Sequence, residues 1–390
     1  MRDFTSAVKT AIANNKLRFD SGVNKEHHFL VDEVEAVLKR IVNESREDAT
    51  IRLFKSNGRR DDLLEKLYSE GLDENLPLEG QLDNLLDDDY CIALNYLNAW
   101  SKELRDYFCE VFVEPWIDRY GATLSGVDVY AFIGKYKSTP FGLHKDDEHT
   151  FLIGCGKNDK RAYIVEDENA KLLIKNNSSA DEIYRSAEYY KLSGGDFLFI
   201  PQGVYHILSS PKYTIMIGVA PYPTSEQSLI SKATRRLESL VLADKDNVEY
   251  GKDTYVFKSI ISKLDYISSL YSDCISNCLA AEAKLIRSSK FLIGTPCYKW
   301  EKFTDSKEFN IIPEYQLLFC EFPTESRLFA NGLELIIKNK DVAEGIVNHI
   351  NSGITFSVDS INIKFFSNRN LKISTDIVCK LLEAGVLSDV

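Results

Sequence analysis

Between residues 127 and 220 the chain alternates short apolar runs with turn residues so closely that no long helix fits there. The runs fall at 127–135, 149–154, 161–166, 189–192, 196–200, 204–209 and 213–220, and are rich in β-branched and aromatic residues. Short strands at this spacing, broken by Gly, Pro and Asn, predict antiparallel β-structure closed into a barrel or sandwich. The tightest piece is Gly-Gly-Asp-Phe-Leu-Phe-Ile-Pro-Gln-Gly-Val-Tyr-His, residues 194–206. A Gly-Gly-Asp turn, an apolar strand, a Pro-Gln-Gly turn and a second strand with one imidazole describe a barrel hairpin.

Some 60 residues earlier lies Thr-Pro-Phe-Gly-Leu-His-Lys-Asp, residues 139–146. Side chains two apart on an extended segment share a face, so His144 and Asp146 can reach one ion together. His206 supplies a second imidazole. Two His and one carboxylate on one side of an octahedron form the facial triad of non-haem Fe(II) sites, with the opposite positions open. Histidine is scarce here, six in all, and three of the six (His144, His149, His206) fall in this segment.

Gly142-Leu-His144-Lys-Asp146, the apolar strand 150–153, a basic pair, and Gly195-Asp196-Phe-Leu-Phe-Ile-Pro201-x-Gly203-x-x-His206 resemble the JmjC-type branch of the cupin superfamily. Within it they are most similar to the ribosomal-oxygenase-like protein hydroxylases, over roughly 127–220. The resemblance implies an α+β chain with a double-stranded β-helix core, binding Fe(II), 2-oxoglutarate and O2 and hydroxylating a protein or peptide side chain. His144, Asp146 and His206 are then the metal ligands. A cation must hold the remote carboxylate of 2-oxoglutarate. Aligning Tyr163 with the family's aromatic selects Arg161 for this, with Lys160 next in line. Thr150 and Tyr130 are candidate hydrogen-bond partners of the cosubstrate. His149 reads as a strand-end side chain bonded to a backbone group, and Lys145 points away from the metal face. Two other readings remain open: the same chemistry on a small metabolite or in lysine demethylation, and a cupin-like binding protein without turnover.

A net charge of −12 and a pI near 5.2 argue against direct nucleic-acid binding and fit a basic protein or peptide better. No secretory leader and no long apolar span is expected, and the eight cysteines show no Cys-x-x-Cys spacing, so a reducing cytoplasm is expected.

Around the barrel the chain divides into 1–223 (oxygenase with an N-terminal helical flank), 224–290 (helical, dimerising) and 291–390 (winged-helix-like). Asp32 is expected to cap a helix carrying Val34, Val37, Leu38, Ile41 and Val42. His27 and His28 read as a strand pair on opposite faces. Residues 50–54 and 90–95 read as strands, 72–89 as an acidic loop, and 101–120 as an amphipathic helix. The polar section 168–186 is expected over or beside the barrel mouth. Thr224-Ser-Glu-Gln227 reads as a capping box opening a helix that buries Leu229, Ile230, Ala233, Leu237 and Leu240. Apolar residues at 257, 260, 264, 267, 271, 274 and 278 step 3 and 4 alternately, an a/d seam that predicts a homodimer. In the tail, a helix at 342–350, strands at 354–358 and 362–366, and a helix at 375–384 ending at Gly385 are expected.

Overall fold

The computed structural model describes residues 2–46, 49–56, 58–241, 274–322, 325–367 and 370–390. The chain forms two units, Met1–Pro223 with Leu292–Gly294, and Thr224–Phe291 with Thr295–Val390. Among the described residues no helix is long and apolar enough to cross a membrane.

In the first unit, α1 (Arg2–Asn14) buries Phe4, Val8, Ala11 and Ile12 at helical spacing. After β1 (Arg18–Asp20), α2 runs His27–Asn43. It starts ahead of Asp32, because Leu30 already belongs to the buried stripe with Val34, Val37, Leu38 and Ile41. The Asn24 side chain accepts from the Glu26 amide and closes the turn before it. His27 and His28 therefore sit in a helical first turn. Next come β2 (Ile51–Lys55), β3 (Gly58–Arg59), α3 (Asp61–Glu70) and α4 (Leu78–Leu86). The acidic stretch expected as a loop thus holds a helix, whose Leu78, Leu82 and Leu86 are buried while its charges face out.

β4 (Tyr90–Leu94) leads to α5 (Lys102–Phe108), capped by the Ser101 hydroxyl on the Leu104 amide at 3.0 Å. A π-turn at Cys109–Val113 separates it from α6 (Glu114–Tyr120). Pro115 has no N–H to donate, and the wider turn accommodates it.

The large sheet continues with β5 (Val127–Tyr136), β6 (Thr150–Gly154) and β7 (Lys160–Val165), then helices α7 (Asp167–Lys175) and α8 (Ala180–Arg185). Strands β8 (Glu188–Leu192), β9 (Phe197–Ile200) and β10 (Tyr205–Pro221) follow. The strand order β1-β9-β6-β10-β5-β4-β2-β3 is antiparallel throughout, and β8-β7 joins on β10. The two runs expected at 204–209 and 213–220 are one strand. Its register shifts between Ser210 and Thr214. Up to Ser209 β10 pairs with β7; Ser210 and the stretch from Thr214 pair with β5, and Met216 to Val219 pair with β6 as well. A bulged strand bends, so β10 carries the sheet round a core of Phe54, Ala93, Leu152, Ile164, Leu198 and Met216.

The polar section at 168–186 forms α7 and α8, which cover the other face of β7 and β10. There Ala170 and Ile183 pack on Tyr163, Val165 and Ile207. It backs the sheet because Tyr163 and Val165 alternate outward and need an apolar cover, and Leu143, next to His144, packs against the same cluster. The segment Leu292–Gly294 also belongs to this unit: Leu292 is buried, and the Ile293 amide donates to Val127.

The second unit begins with α9 (Glu226–Val241), where Ser225, one residue after Thr224, accepts from the Ser228 amide. Ala233 and Leu237 are buried, but Ile230 is 51% exposed. A helix at 274–288, α10, follows. Cys274 and Cys278 are buried on it; the rest of the seam from 257 lies outside the described residues. Then come β11 (Phe309–Ile311), the meander β12 (Leu318–Glu321), β13 (Ser326–Ala330) and β14 (Leu333–Ile337), and α11 (Lys340–Asn351). The strand expected at 362–366 is helical, within α12 (Val358–Phe366). Ser357 and Ser360 form a reciprocal cap, and Val358, Ile361 and Asn362 bury one stripe. At 354–358 only Phe356 pairs, bridging to Phe309. α13 (Leu371–Glu383) ends before Gly385 (φ +64°), and β15 (Leu387–Asp389) pairs with β11.

Candidate metal centre and its cavity

Two glycine turns bring the ligands together. Gly142 (φ +63°) closes the turn whose amide returns to the Thr139 carbonyl at 3.0 Å. Gly203 (φ +80°) sits third in the turn Pro201–Val204, where a left-handed residue is required. Between them, His144 and His206 form an isolated antiparallel bridge. The His144 amide donates to the His206 carbonyl at 3.1 Å, and the reverse bond is 2.8 Å. The Gly203 amide donates to the Asp146 carbonyl at 3.0 Å, so both ligand segments are held at their backbones.

The side chains converge from there. His144 Nε2 lies 3.4 Å from Asp146 Oδ1, and His206 Nε2 lies 3.5 Å from Asp146 Oδ2. All the ligand atoms fall within 4.8 Å of one another. Cis ligands about 2.1 Å from one ion sit about 3 Å apart, so this donor set fits a shared metal. The tautomers fit as well. His144 Nδ1 faces the Gly142 carbonyl at 3.0 Å and His206 Nδ1 faces Val204 at 3.1 Å. Both Nδ1 atoms therefore carry the proton, leaving both Nε2 lone pairs for a metal. Burial lowers the His206 pKa, which favours the neutral ligand form. Burial alone would raise that of Asp146, but the His144 and His206 imidazoles beside it hold it below the usual range. The Thr150 hydroxyl donates to Asp146 Oδ2 at 2.9 Å and orients the carboxylate.

Behind the ligands the core opens into a cavity of about 240 Å³, walled by Tyr130, Phe132, Leu152 and Leu208 among others. Tyr130 lies flat across β10 because its direct partner there is Gly218; a Cβ at 218 would overlap the Tyr130 ring. Glu148, also on the cavity, is pushed up to about 7 by burial and then by Asp146.

The two basic candidates on β7 part ways. Along this strand Lys160, Ala162 and Ile164 point into the core, whereas Arg161 and Tyr163 point outward. Arg161 is exposed and the structure does not bring it to the cavity. Lys160 does not line the cavity either, but it is 1% exposed, with its ammonium against the Tyr136 hydroxyl and 5.2 Å from the centre of the ring of Phe132, a cavity wall. Burial pushes its pKa down to about 7, opposed only by Cys91. Moving the choice by one residue moves the side chain to the opposite face.

His149 lies outside the metal set. Its Nδ1 accepts from the Gln202 amide at 3.0 Å, and its ring packs on Trp116 and Phe199. Lys145 turns away, over Tyr205. Arg52, Asn95 and Tyr222 also line the cavity, and sequence reasoning missed them. Only the pairing of β2 with β4, and of β4 with β5, brings Arg52 there, beside Ala93 and Phe132. Alternation in residues 51–55 puts Arg52 and Phe54 on one face, but nothing local says that this face meets a cavity.

No protein-family model matches the chain, and no curated protein matches it. Among solved structures it is similar to YcfD, a ribosomal oxygenase from Escherichia coli, at 11% identity and a TM-score of 0.42, over 91% of this chain and 89% of that one. It is similar to YcfD in complex with cobalt and 2-oxoglutarate at 12% identity and a TM-score of 0.42, over 90% and 89% of the two chains. For the complex with cobalt and succinic acid the figures are 12%, 0.42, 90% and 89%.

Proposed function

We propose that this protein is an Fe(II)- and 2-oxoglutarate-dependent oxygenase with a double-stranded β-helix core, which hydroxylates a side chain of a protein or peptide. The observation that carries this is the His144–Asp146–His206 cluster, with both Nε2 atoms turned toward the Asp146 carboxylate, at a cavity in the sheet's core. Two imidazoles and one carboxylate on one side of an ion leave three positions for a chelating cosubstrate and O2. When bound, iron and 2-oxoglutarate supply the oxidising chemistry, in which one oxygen atom goes into succinate as CO2 leaves and the other into the substrate hydroxyl.

The chain's own residues hold and orient. Thr150 fixes the Asp146 carboxylate, and Phe132, Leu152 and Leu208 exclude water from the cavity. The remote carboxylate of 2-oxoglutarate is assigned to Lys160, with the Tyr136 hydroxyl beside it. A buried ammonium with no carboxylate partner among the described residues is costly by itself, and an incoming anion compensates it. Arg161, the first choice from sequence, faces solvent and drops out of this role.

We further propose a homodimer formed through 224–290, a cytoplasmic setting, and an accessory role for the winged-helix-like 291–390. The central test is anaerobic Fe(II) titration, then succinate assay on adding 2-oxoglutarate and O2. Stoichiometric iron binding and O2-dependent succinate are expected. His144→Ala, Asp146→Ala and His206→Ala should abolish both and stay folded. Full turnover in any of the three would remove the triad assignment.

A further inference from the structure

The cavity has a second charged wall that neither the metal nor the cosubstrate assignment uses. Arg52 lines it from β2. Its Nη2 donates to Asn95 Oδ1 at 2.7 Å, while its Nε is buried without a hydrogen-bond partner. Among the described residues no carboxylate forms an ion pair with it. The neighbouring acid, Asp128, is fully buried and already engaged. It accepts from Asn95 Nδ2 at 2.6 Å and from the Tyr96 amide at 3.0 Å, and lies 3.5 Å from the Tyr222 hydroxyl. Asp128 thereby fixes the Asn95 amide with its oxygen toward Arg52, and that oxygen pins the guanidinium at the wall. The result is a cation oriented in advance, whose buried Nε lacks an acceptor. A planar guanidinium in that state is matched by a carboxylate.

We propose that Arg52 is a substrate-binding residue that recognises a carboxylate on the peptide, so that the residue entering the cavity is acidic, an Asp or Glu side chain. The proposal rests on the oxygenase reading only for which molecule enters; the anion site stands on Arg52, Asn95 and Asp128. It runs against the overall charge of −12, which acts at long range and says little about one desolvated cleft. Glu148, the other charged group on the cavity outside the metal set, would instead favour a basic side chain.

The test measures binding of four capped tripeptides, acetyl-Gly-X-Gly-amide with X as Asp, Asn, Glu or Lys, to the full-length protein. Calorimetry is run on the protein loaded with Zn(II) and saturating 2-oxoglutarate, and repeated without either. The Asp and Glu peptides should bind at least about tenfold more tightly than the Asn peptide, the scale of a charge-assisted contact. Arg52→Met should erase that ratio with 2-oxoglutarate affinity changed less than about twofold, and Arg52→Lys should keep part of it. Equal binding of the Asp and Asn peptides to the unmodified protein, or preference for Lys, overturns the proposal without any variant. Loss of 2-oxoglutarate affinity in Arg52→Met also overturns it, assigning Arg52 to the cosubstrate. Failure of the unmodified protein to bind Zn(II) or 2-oxoglutarate would instead sink the oxygenase reading, while an acid preference in the unloaded protein would survive it.

Discussion

Lys160 shows how much one side chain's surroundings decide. A lysine ordinarily titrates near 10.4; here burial brings it down to about 7, with Cys91 opposing. If it holds the remote carboxylate, binding favours the charged form and raises its pKa. Affinity is then full below pH 7 and falls as pH rises above 7, by up to about tenfold per unit, until the bound-state pKa is reached. Titrating Zn(II)-loaded protein with 2-oxoglutarate from pH 6 to 9 should show that fall. Lys160→Arg, whose guanidinium stays charged, should flatten it. Matching slopes in the two proteins would remove Lys160 from the role. The neighbouring Arg161 makes the complementary point: charge and position in sequence selected it, and the facing of one strand excluded it.

At the scale of elements, β5 and β10 carry the closest fit at the site. The directly paired Tyr130 and Gly218 form a flat stack that no side chain at 218 permits. Gly218→Ala must displace the Tyr130 ring and should destabilise the protein by about 1–3 kcal/mol in urea unfolding. In a Tyr130→Ala background the same Gly218→Ala change should cost little, since the two residues share one clash. Additive costs would mean that the alanine is absorbed elsewhere. The same strand pair could not be registered from sequence. The runs at 127–135 and 213–220 identified both strands, but their pairing is long-range.

On the scale of the whole molecule, segments distant in sequence complete a unit. Leu292 bridges to Val127 and is 1% exposed, although it follows α10. Leu292→Ala should cost about 2–4 kcal/mol. By hydrogen exchange the loss should appear in residues 127–136 and not in 326–337; equal effects on both would contradict the two-unit division. The proposed dimer depends on the seam at 257–278, most of which lies outside the described residues. Replacing Leu264 and Ile267 by Glu should split it. Light scattering that gives 44.4 kDa for the unmodified chain at micromolar concentration would sink it.

The sequence by itself determined the features that depend on near neighbours. The i, i+2 spacing of His144 and Asp146 puts both on one side of an extended segment. The Pro-Gln-Gly turn delivers His206, and the apolar runs locate the barrel strands to within a few residues. Helices were legible where their stripe was long, as in α2, and misread where charges masked it, as with Leu78, Leu82 and Leu86 in α4. Asn362 to Phe366 misled for a related reason: alternation over five residues suits a strand, and the Ser357 cap that makes it helical lies just upstream. Only the tertiary structure decided that Lys160 faces inward and Arg161 outward. Only the sheet's strand order brought Arg52 and Asn95 to the cavity, with Asp128 buried behind Asn95, from separate stretches of chain. The physical reason is that periodicity and turn chemistry act over a few residues, whereas the face a side chain presents depends on pairing register. One residue of register exchanges every inside position for an outside one.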